Sequence, residues 1–119
     1  MLNCFVVAAG GAVGAVARYL IGLLPLPPGS GFPVKTFLIN VFGSFLIGLV
    51  TAWAAKDSPS PMLVLFLKVG ICGGFTTFSS FALETQGLMK QGAGGIALIY
   101  MILSMVCGVM AVSAAQKLI

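Results

Sequence analysis

The sequence predicts an all-α membrane protein with four transmembrane helices, of which the third is broken. Of the 119 residues, 60% are hydrophobic and only 7% are charged, and the mean hydropathy is +1.16. A soluble domain usually has about 25% charged residues, and disorder needs low hydrophobicity, so a solvated globular enzyme and a disordered chain are both excluded. The break is predicted by a cluster of glycine and hydroxyl residues inside the third apolar stretch, over residues 70–81.

Four apolar stretches follow one another, each long enough for the roughly 20 residues of a spanning helix. A turn rich in proline and glycine over residues 25–31 ends the first, a polar turn ends the second, and a glycine-rich turn precedes the fourth. We expect one transmembrane domain over residues 1–119 with both termini on the same side, and no cleaved signal peptide, because no basic segment precedes the first stretch. The predicted helices cover about residues 2–24, 35–55, 62–89 with a break near 73–78, and 96–115.

The six basic residues are scattered, which indicates residues that flank membrane spans and argues against nucleic-acid binding. Three fall on each side of the predicted bundle: Lys56, Lys68 and Lys117 on the side of the termini, and Arg18, Lys35 and Lys90 on the other. The side that carries more Lys and Arg sets the orientation of a membrane protein. Because the two sides carry equal numbers here, we predict that copies insert in both orientations.

Two groups of small residues are expected to serve packing. Cys4, Cys72 and Cys107 lie in separate stretches without a CxxC pair, so we expect small apolar residues and no disulfide or metal site. Small residues four apart let helices approach closely in lipid. Such pairs are Gly10 and Gly14, Ser44 and Gly48, Gly70 and Gly74, and Ser104 and Gly108. Since four short helices offer little interior, a polar path is expected between subunits.

Polar side chains inside a span are candidate functional residues. Arg18, late in the first span, either extends to the interface or attracts anions in a vestibule. Asn40 either hydrogen-bonds a neighbouring helix or donates its amide to an anion. Glu84 is interpreted as a residue at the interfacial rim in preference to a proton-coupling carboxylate.

The segment over residues 70–81 predicts a helix break, since glycine costs about 1 kcal/mol in a helix interior and Ser and Thr compete for backbone hydrogen bonds. Broken backbone at membrane depth is tolerated where it is buried or lines a cavity, and its freed carbonyls suit a small cation. Phe75, Phe78 and Phe81 are three residues apart. They either pack a core or, interleaved with Ser79 and Ser80, present positive ring edges to a small anion.

Three motifs resemble the CrcB, or Fluc, family of fluoride ion channels: residues 11–19 (GAVGAVARY), 36–48 (TFLINVFGSFLIG) and 70–81 (GICGGFTTFSSF). The last is highly specific, and the resemblance covers essentially the whole chain. It implies a passive, fluoride-selective channel of the cytoplasmic (inner) membrane that exports fluoride and limits its toxicity. It also implies a dual-topology antiparallel homodimer, with two fluoride pathways at the subunit interface and a structural Na⁺ on the two-fold axis.

The resemblance also implies roles for individual residues. The fluoride pathway takes Asn40, Phe78, Phe81, Ser80, Thr36 and Ser104; the vestibule takes Arg18 and Glu84; and the backbone carbonyls of Gly73 and Thr76 hold the Na⁺. The chain departs from the family pattern at Lys35, where glycine is frequent, and at Gly108, where a second serine is frequent.

Two other functions fit a small four-helix membrane protein. A small multidrug exporter needs a membrane-buried carboxylate in its first helix, and residues 1–24 contain none. A structural subunit or holin-like pore would leave the costly break and its hydroxyl cluster unexplained.

Overall fold

The computed structural model describes residues 1–26, 29 and 31–119, and this part of the chain forms four helical spans without a strand. Pro27, Pro28 and Ser30 of the predicted first turn lie outside the described residues. The elements are α1 (Leu2–Gly22), α2 (Val34–Asp57), α3 (Pro61–Leu65), a π-helix (Phe66–Cys72), α4 (Gly73–Phe75), α5 (Phe78–Lys90) and α6 (Gly94–Leu118). The elements from Pro61 to Lys90 form the third span, and all four spans are long and apolar enough to cross a membrane. The predicted all-helical membrane fold is confirmed.

The first span and the first half of the third span pack in parallel through glycines. A Cβ atom added at Gly10 would lie 2.5 Å from the Phe66 carbonyl oxygen and 2.8 Å from the Gly70 Cα atom. One added at Gly74 would lie 2.5 Å from the Gly11 carbonyl oxygen. The two backbones are therefore in direct contact, and the packing predicted from glycines four residues apart is confirmed here.

The helices α2 and α6 form the second parallel pair. A Cβ atom at Gly48 would lie 2.7 Å from the Val112 carbonyl oxygen and 2.9 Å from Ala115 Cβ. The start of α2 lies beside the end of α1, because Lys35 Nζ donates a 2.8 Å hydrogen bond to the Gly22 carbonyl. The two pairs thus run in opposite directions, and both ends of the chain lie on the same side of the bundle.

The third span is interrupted at Thr76 and Thr77. Both have extended backbone, with φ/ψ of −79°/156° and −146°/117°. Thr77 is the N-cap of α5, where its Oγ1 accepts a 3.2 Å hydrogen bond from the Ser80 N–H. A β-branched residue with a cap hydroxyl favours this start of a new helix, so the break lies inside the predicted segment.

A small core closes the end of the bundle away from the termini. Tyr100 is 0% exposed and packs with Leu88 and Ala97 against Phe32 and Phe81. Large apolar side chains elsewhere face outward on every span. These outer faces suit contact with lipid or with another protein chain.

Candidate functional site

Asn40 fastens the break of the third span to α2. Its Oδ1 accepts a 2.8 Å hydrogen bond from the Thr77 N–H, and its Nδ2 donates a 3.1 Å hydrogen bond to the Thr77 carbonyl. The interhelical role considered for Asn40 is therefore present. Because the amide nitrogen carries two hydrogens, one donor is left for another acceptor.

The same contacts release backbone carbonyls. In a continuous α-helix, the carbonyls of Gly73 and Thr76 would accept hydrogen bonds from the N–H groups of Thr77 and Ser80. These two N–H groups instead donate to Asn40 Oδ1 and Thr77 Oγ1. Hard cations prefer oxygen ligands, and a carbonyl oxygen that has lost its helical hydrogen bond is free to coordinate one. The carbonyls of these two residues therefore fit a Na⁺ ion.

A cavity of about 380 Å³ lies beside the break. It is open on one side and is lined by α2, by the third span on both sides of the break, and by α6. Of the eight residues assigned to the fluoride pathway or the Na⁺ site, six line it: Asn40, Gly73, Thr76, Phe78, Phe81 and Ser104. None of the lining residues within the described part of the chain is charged, so polar contacts in the cavity come from hydroxyls, an amide and the backbone.

The two phenylalanines of the cavity differ in exposure. Phe78 is 79% exposed, whereas Phe81 is partly buried, and their ring centroids lie 5.8 Å apart with a tilt of 50°. Phe78 therefore contributes little to packing within this chain. The positive edge of such a ring is free to face an anion or a second protein chain.

Ser104 brings an unused hydroxyl group to the cavity. Its Oγ atom is buried and has no hydrogen-bond partner among the residues that the structure describes. Buried polar atoms are rarely left unpaired, because each costs about 1–3 kcal/mol. This hydroxyl is available as a donor to a bound anion.

Thr36 and Glu84 form a second cluster, towards the end of the bundle away from the termini. The hydroxyls of Thr36 and Tyr100 donate hydrogen bonds of 2.8 and 2.9 Å to the two oxygens of Glu84. The Tyr100 ring lies 5.0 Å from that of Phe81, centroid to centroid. The cluster thus borders the cavity through Phe81 without lining it.

The other residues selected from the sequence lie around the break. Arg18 Nε donates a 3.3 Å hydrogen bond to the Gly74 carbonyl, which ties α1 to the last residues before the break. Ser80 lies in the first turn of α5, outside the cavity lining. A Cβ atom at Gly108 would lie 3.5 Å from Ser44 Oγ, so α2 supplies a hydroxyl next to this departure from the family pattern.

Tyr100 is the site residue that the sequence interpretation missed. It is the buried partner of Glu84 and precedes Ser104 by four residues, which is one turn of α6. A hydroxyl residue one turn from Ser104 on the same helix face was the available signal. A single tyrosine in an apolar span is also typical of the aromatic belt at the membrane interface, so the pattern alone does not distinguish the two roles.

Comparison with known proteins identifies relatives over nearly the whole chain. The model of a family described as "CrcB-like protein, Camphor Resistance (CrcB)" matches residues 5–116. A curated protein of Agrobacterium fabrum is named "Fluoride-specific ion channel FluC" and is 43% identical over 120 aligned residues. The alignment covers 99% of this chain and 96% of the Agrobacterium protein.

Two further curated relatives bear the same name. The protein of Chlorobaculum tepidum is 48% identical over 101 residues, covering 84% of this chain and 80% of its own. The protein of Shewanella pealeana is 50% identical over 93 residues, covering 77% of this chain and 75% of its own.

Proposed function

The chain belongs to the CrcB family, and from this premise we propose that it is a fluoride-specific ion channel. The observation that carries the proposal is the uncharged cavity at the break, where phenyl rings, hydroxyls and an amide donor converge. Ring edges and neutral donors attract a small anion without the strong binding that a fixed cation in the cavity would cause. An ion must be able to leave as well as enter if conduction is to be passive.

Four residues are proposed to contact the anion in the cavity. Ser104 offers its unpaired hydroxyl, and Asn40 offers the amide hydrogen that Thr77 does not use. Phe78 and Phe81 offer the edges of their rings. These donors replace part of the hydration shell that fluoride loses on leaving water.

The proposed path continues from the cavity past Phe81 to Thr36, Glu84 and Tyr100. Both hydroxyls of this cluster donate to the carboxylate in the present arrangement. A hydroxyl that turns from Glu84 to the anion would carry it towards the end of the bundle away from the termini. Arg18, which donates to the Gly74 carbonyl just before the break, is proposed to add a positive charge to the vestibule. Ser80, in the first turn of α5, is proposed to add a hydroxyl near the ring of Phe81.

We infer an antiparallel homodimer as the functional unit. Phe78 is mostly exposed and the cavity is open on one side, so a second subunit is needed to enclose the path. The even division of basic residues, three on each side, supports insertion of the chain in both orientations.

A structural Na⁺ is proposed at the centre of that dimer. The carbonyls of Gly73 and Thr76 lack their helical donors, and Gly73 is exposed on the face of the break. By accepting carbonyl oxygens of both subunits as ligands, the ion would hold the two breaks together. The proposed location is the cytoplasmic (inner) membrane, because bacterial outer-membrane proteins span their membrane as β-barrels.

Fluoride efflux from liposomes tests the proposed function. Purified protein is reconstituted in vesicles loaded with potassium fluoride, and efflux is started with a potassium ionophore that removes the opposing voltage. We expect fluoride to leave rapidly only in the presence of the protein. Folded protein that releases no fluoride under this gradient would contradict the proposal.

A further inference from the structure

Lys68 is an exposed cation inside the third span that the proposed pathway does not use. It lies within the π-helix Phe66–Cys72, and its ammonium group makes no hydrogen bond or ion pair with the residues that the structure describes. Of the three cations near the other end of the bundle, two have backbone partners: Arg18 donates to the Gly74 carbonyl and Lys35 to the Gly22 carbonyl. The third, Lys90, lies at the exposed end of α5 and not within the span.

We infer the depth of Lys68 in the bilayer by taking the midpoint of α1 as the middle of the membrane. Gly70 packs against Gly10, which is near the midpoint of the 21-residue helix α1. At about 1.5 Å per residue, Lys68 is roughly 6 Å from that midpoint, whereas half of a hydrocarbon core is about 15 Å. An ionised side chain at this depth usually faces a water-filled cavity or the bundle interior, because exposure to lipid is costly.

The π-helix puts the backbone of Lys68 next to Gly73, which lines the cavity, although Lys68 itself is not a lining residue. The Gly73 N–H donates to the Lys68 carbonyl, which is the hydrogen bond between residues five apart that defines π-helical turns. Lys68 therefore lies nearly in line with Gly73 along the helix axis, one turn nearer the termini. Gly73 and Cys72 both line the cavity, whereas Gly70 and Gly74 contact α1 on another face.

The two ends of the proposed path thus differ in charge. Towards the end away from the termini, the path borders the Glu84 cluster. Towards the termini, the third span adds a lysine below a cavity that has no charged lining residue within the described part of the chain. A positive charge at the entrance of a low-dielectric cleft raises the local concentration of anions without holding them inside.

We propose that Lys68 collects anions at the mouth of the pathway on the side of the termini, which rests on the proposed function of the chain as a fluoride channel. The residue acts through its charge at a distance of one helical turn from the cavity. Its contribution depends on ionic strength, because salt screens a solvent-exposed charge.

The test compares fluoride flux of Lys68→Gln, Lys68→Arg and wild type in liposomes at subsaturating fluoride. Lys56→Gln is the matched control, since Lys56 is an exposed lysine at the end of α2 on the same side. We expect Lys68→Gln to lower the flux roughly threefold at low ionic strength, less than the roughly 10- to 1,000-fold effect of clefts lined by many charges of one sign. Lys68→Arg and Lys56→Gln should conduct as wild type does. The deficit should vanish near 1 M salt, where the Debye length is about 3 Å.

Two results would overturn this role for Lys68. Equal flux of Lys68→Gln and wild type at low salt would mean that the ammonium group reaches the lipid phosphates instead of the path. A deficit that persists undiminished at high salt would indicate a packing defect. If the wild type carries no fluoride, the proposed function itself fails, and that outcome is distinct from both.

Discussion

The side-chain amide of Asn40 binds both polar backbone groups of Thr77, at 2.8 Å to the N–H and 3.1 Å to the carbonyl. This pair joins α2 to the extended residues between α4 and α5. Without it, two backbone groups at membrane depth would have no partner, which is costly in lipid. The pair therefore explains how the chain tolerates a broken helix next to the cavity.

Replacing Asn40 by leucine should destabilise the protein and abolish fluoride flux. Both Thr77 groups would lose their partner, at about 1–3 kcal/mol for each unsatisfied group. Thermal unfolding in detergent measures the loss, and Asn3→Leu in the exposed first turn of α1 is the control. An Asn40→Leu protein as stable as Asn3→Leu would show that the hydrogen bonds between Asn40 and Thr77 do not stabilise the break.

Phe78→Ile and Phe81→Ile should fold normally and conduct fluoride poorly. Phe78 is mostly exposed within one subunit, so isoleucine removes a ring edge there without opening a core. Loss of an edge interaction of about 0.5–1.5 kcal/mol lowers the flux roughly two- to tenfold. Phe5→Ile, an exposed phenylalanine of α1, should conduct as wild type does. Unchanged flux in both cavity variants would mean that the rings only pack.

Gly10→Ala and Gly11→Ala make a matched pair in adjacent positions of α1. A Cβ atom at Gly10 meets the Phe66 carbonyl and the Gly70 backbone, whereas one at Gly11 meets nothing within 4 Å. Overpacking of this kind costs about 1–3 kcal/mol, so Gly10→Ala should unfold at a lower temperature and Gly11→Ala should not. Equal stability of the two variants would contradict the close packing of α1 on the third span.

Tyr100→Phe should destabilise the end of the bundle that contains Glu84. The variant keeps the ring but removes the hydroxyl that donates to Glu84 Oε1, a bond to a charged group worth about 1.5–3 kcal/mol. Tyr19→Phe is the control, because Tyr19 is 64% exposed. Thermal unfolding compares the two variants, and a Tyr100→Phe protein with wild-type stability would remove Tyr100 from the cluster.

Replacing all Na⁺ by an organic cation too large for the carbonyl site should weaken the dimer and lower fluoride flux. The proposed ligands are backbone atoms of Gly73 and Thr76, so Thr76→Ala keeps its carbonyl and should retain the response to sodium. Flux and oligomeric state are measured after dialysis and again after Na⁺ is restored. No change in either quantity would count against the proposed ion.

The sequence predicted those parts of the fold that depend on the helix preference and the size of individual residues. The glycines and hydroxyls around Thr76 and Thr77 disfavour a continuous helix, and Gly10 and Gly70 remove the side chains that would separate two helices. The π-helix was not predicted, because residues 66–72 are compatible with an ordinary apolar helix. The hydrogen-bond partner of Asn40 could not be predicted from local sequence pattern either. Asn40 and Thr77 are 37 residues apart, and only the packing of α2 on the third span brings them together.

Simultaneous measurement of fluoride and chloride flux through the same reconstituted protein tests the central claim most directly. The cavity presents ring edges, an amide and a hydroxyl in place of a fixed cation, and we expect these groups to pass the smaller anion. Under equal gradients, without a proton gradient, fluoride should leave the vesicles while chloride is retained. Equal rates for the two anions, or fluoride movement only when protons are supplied, would contradict a passive fluoride-selective channel.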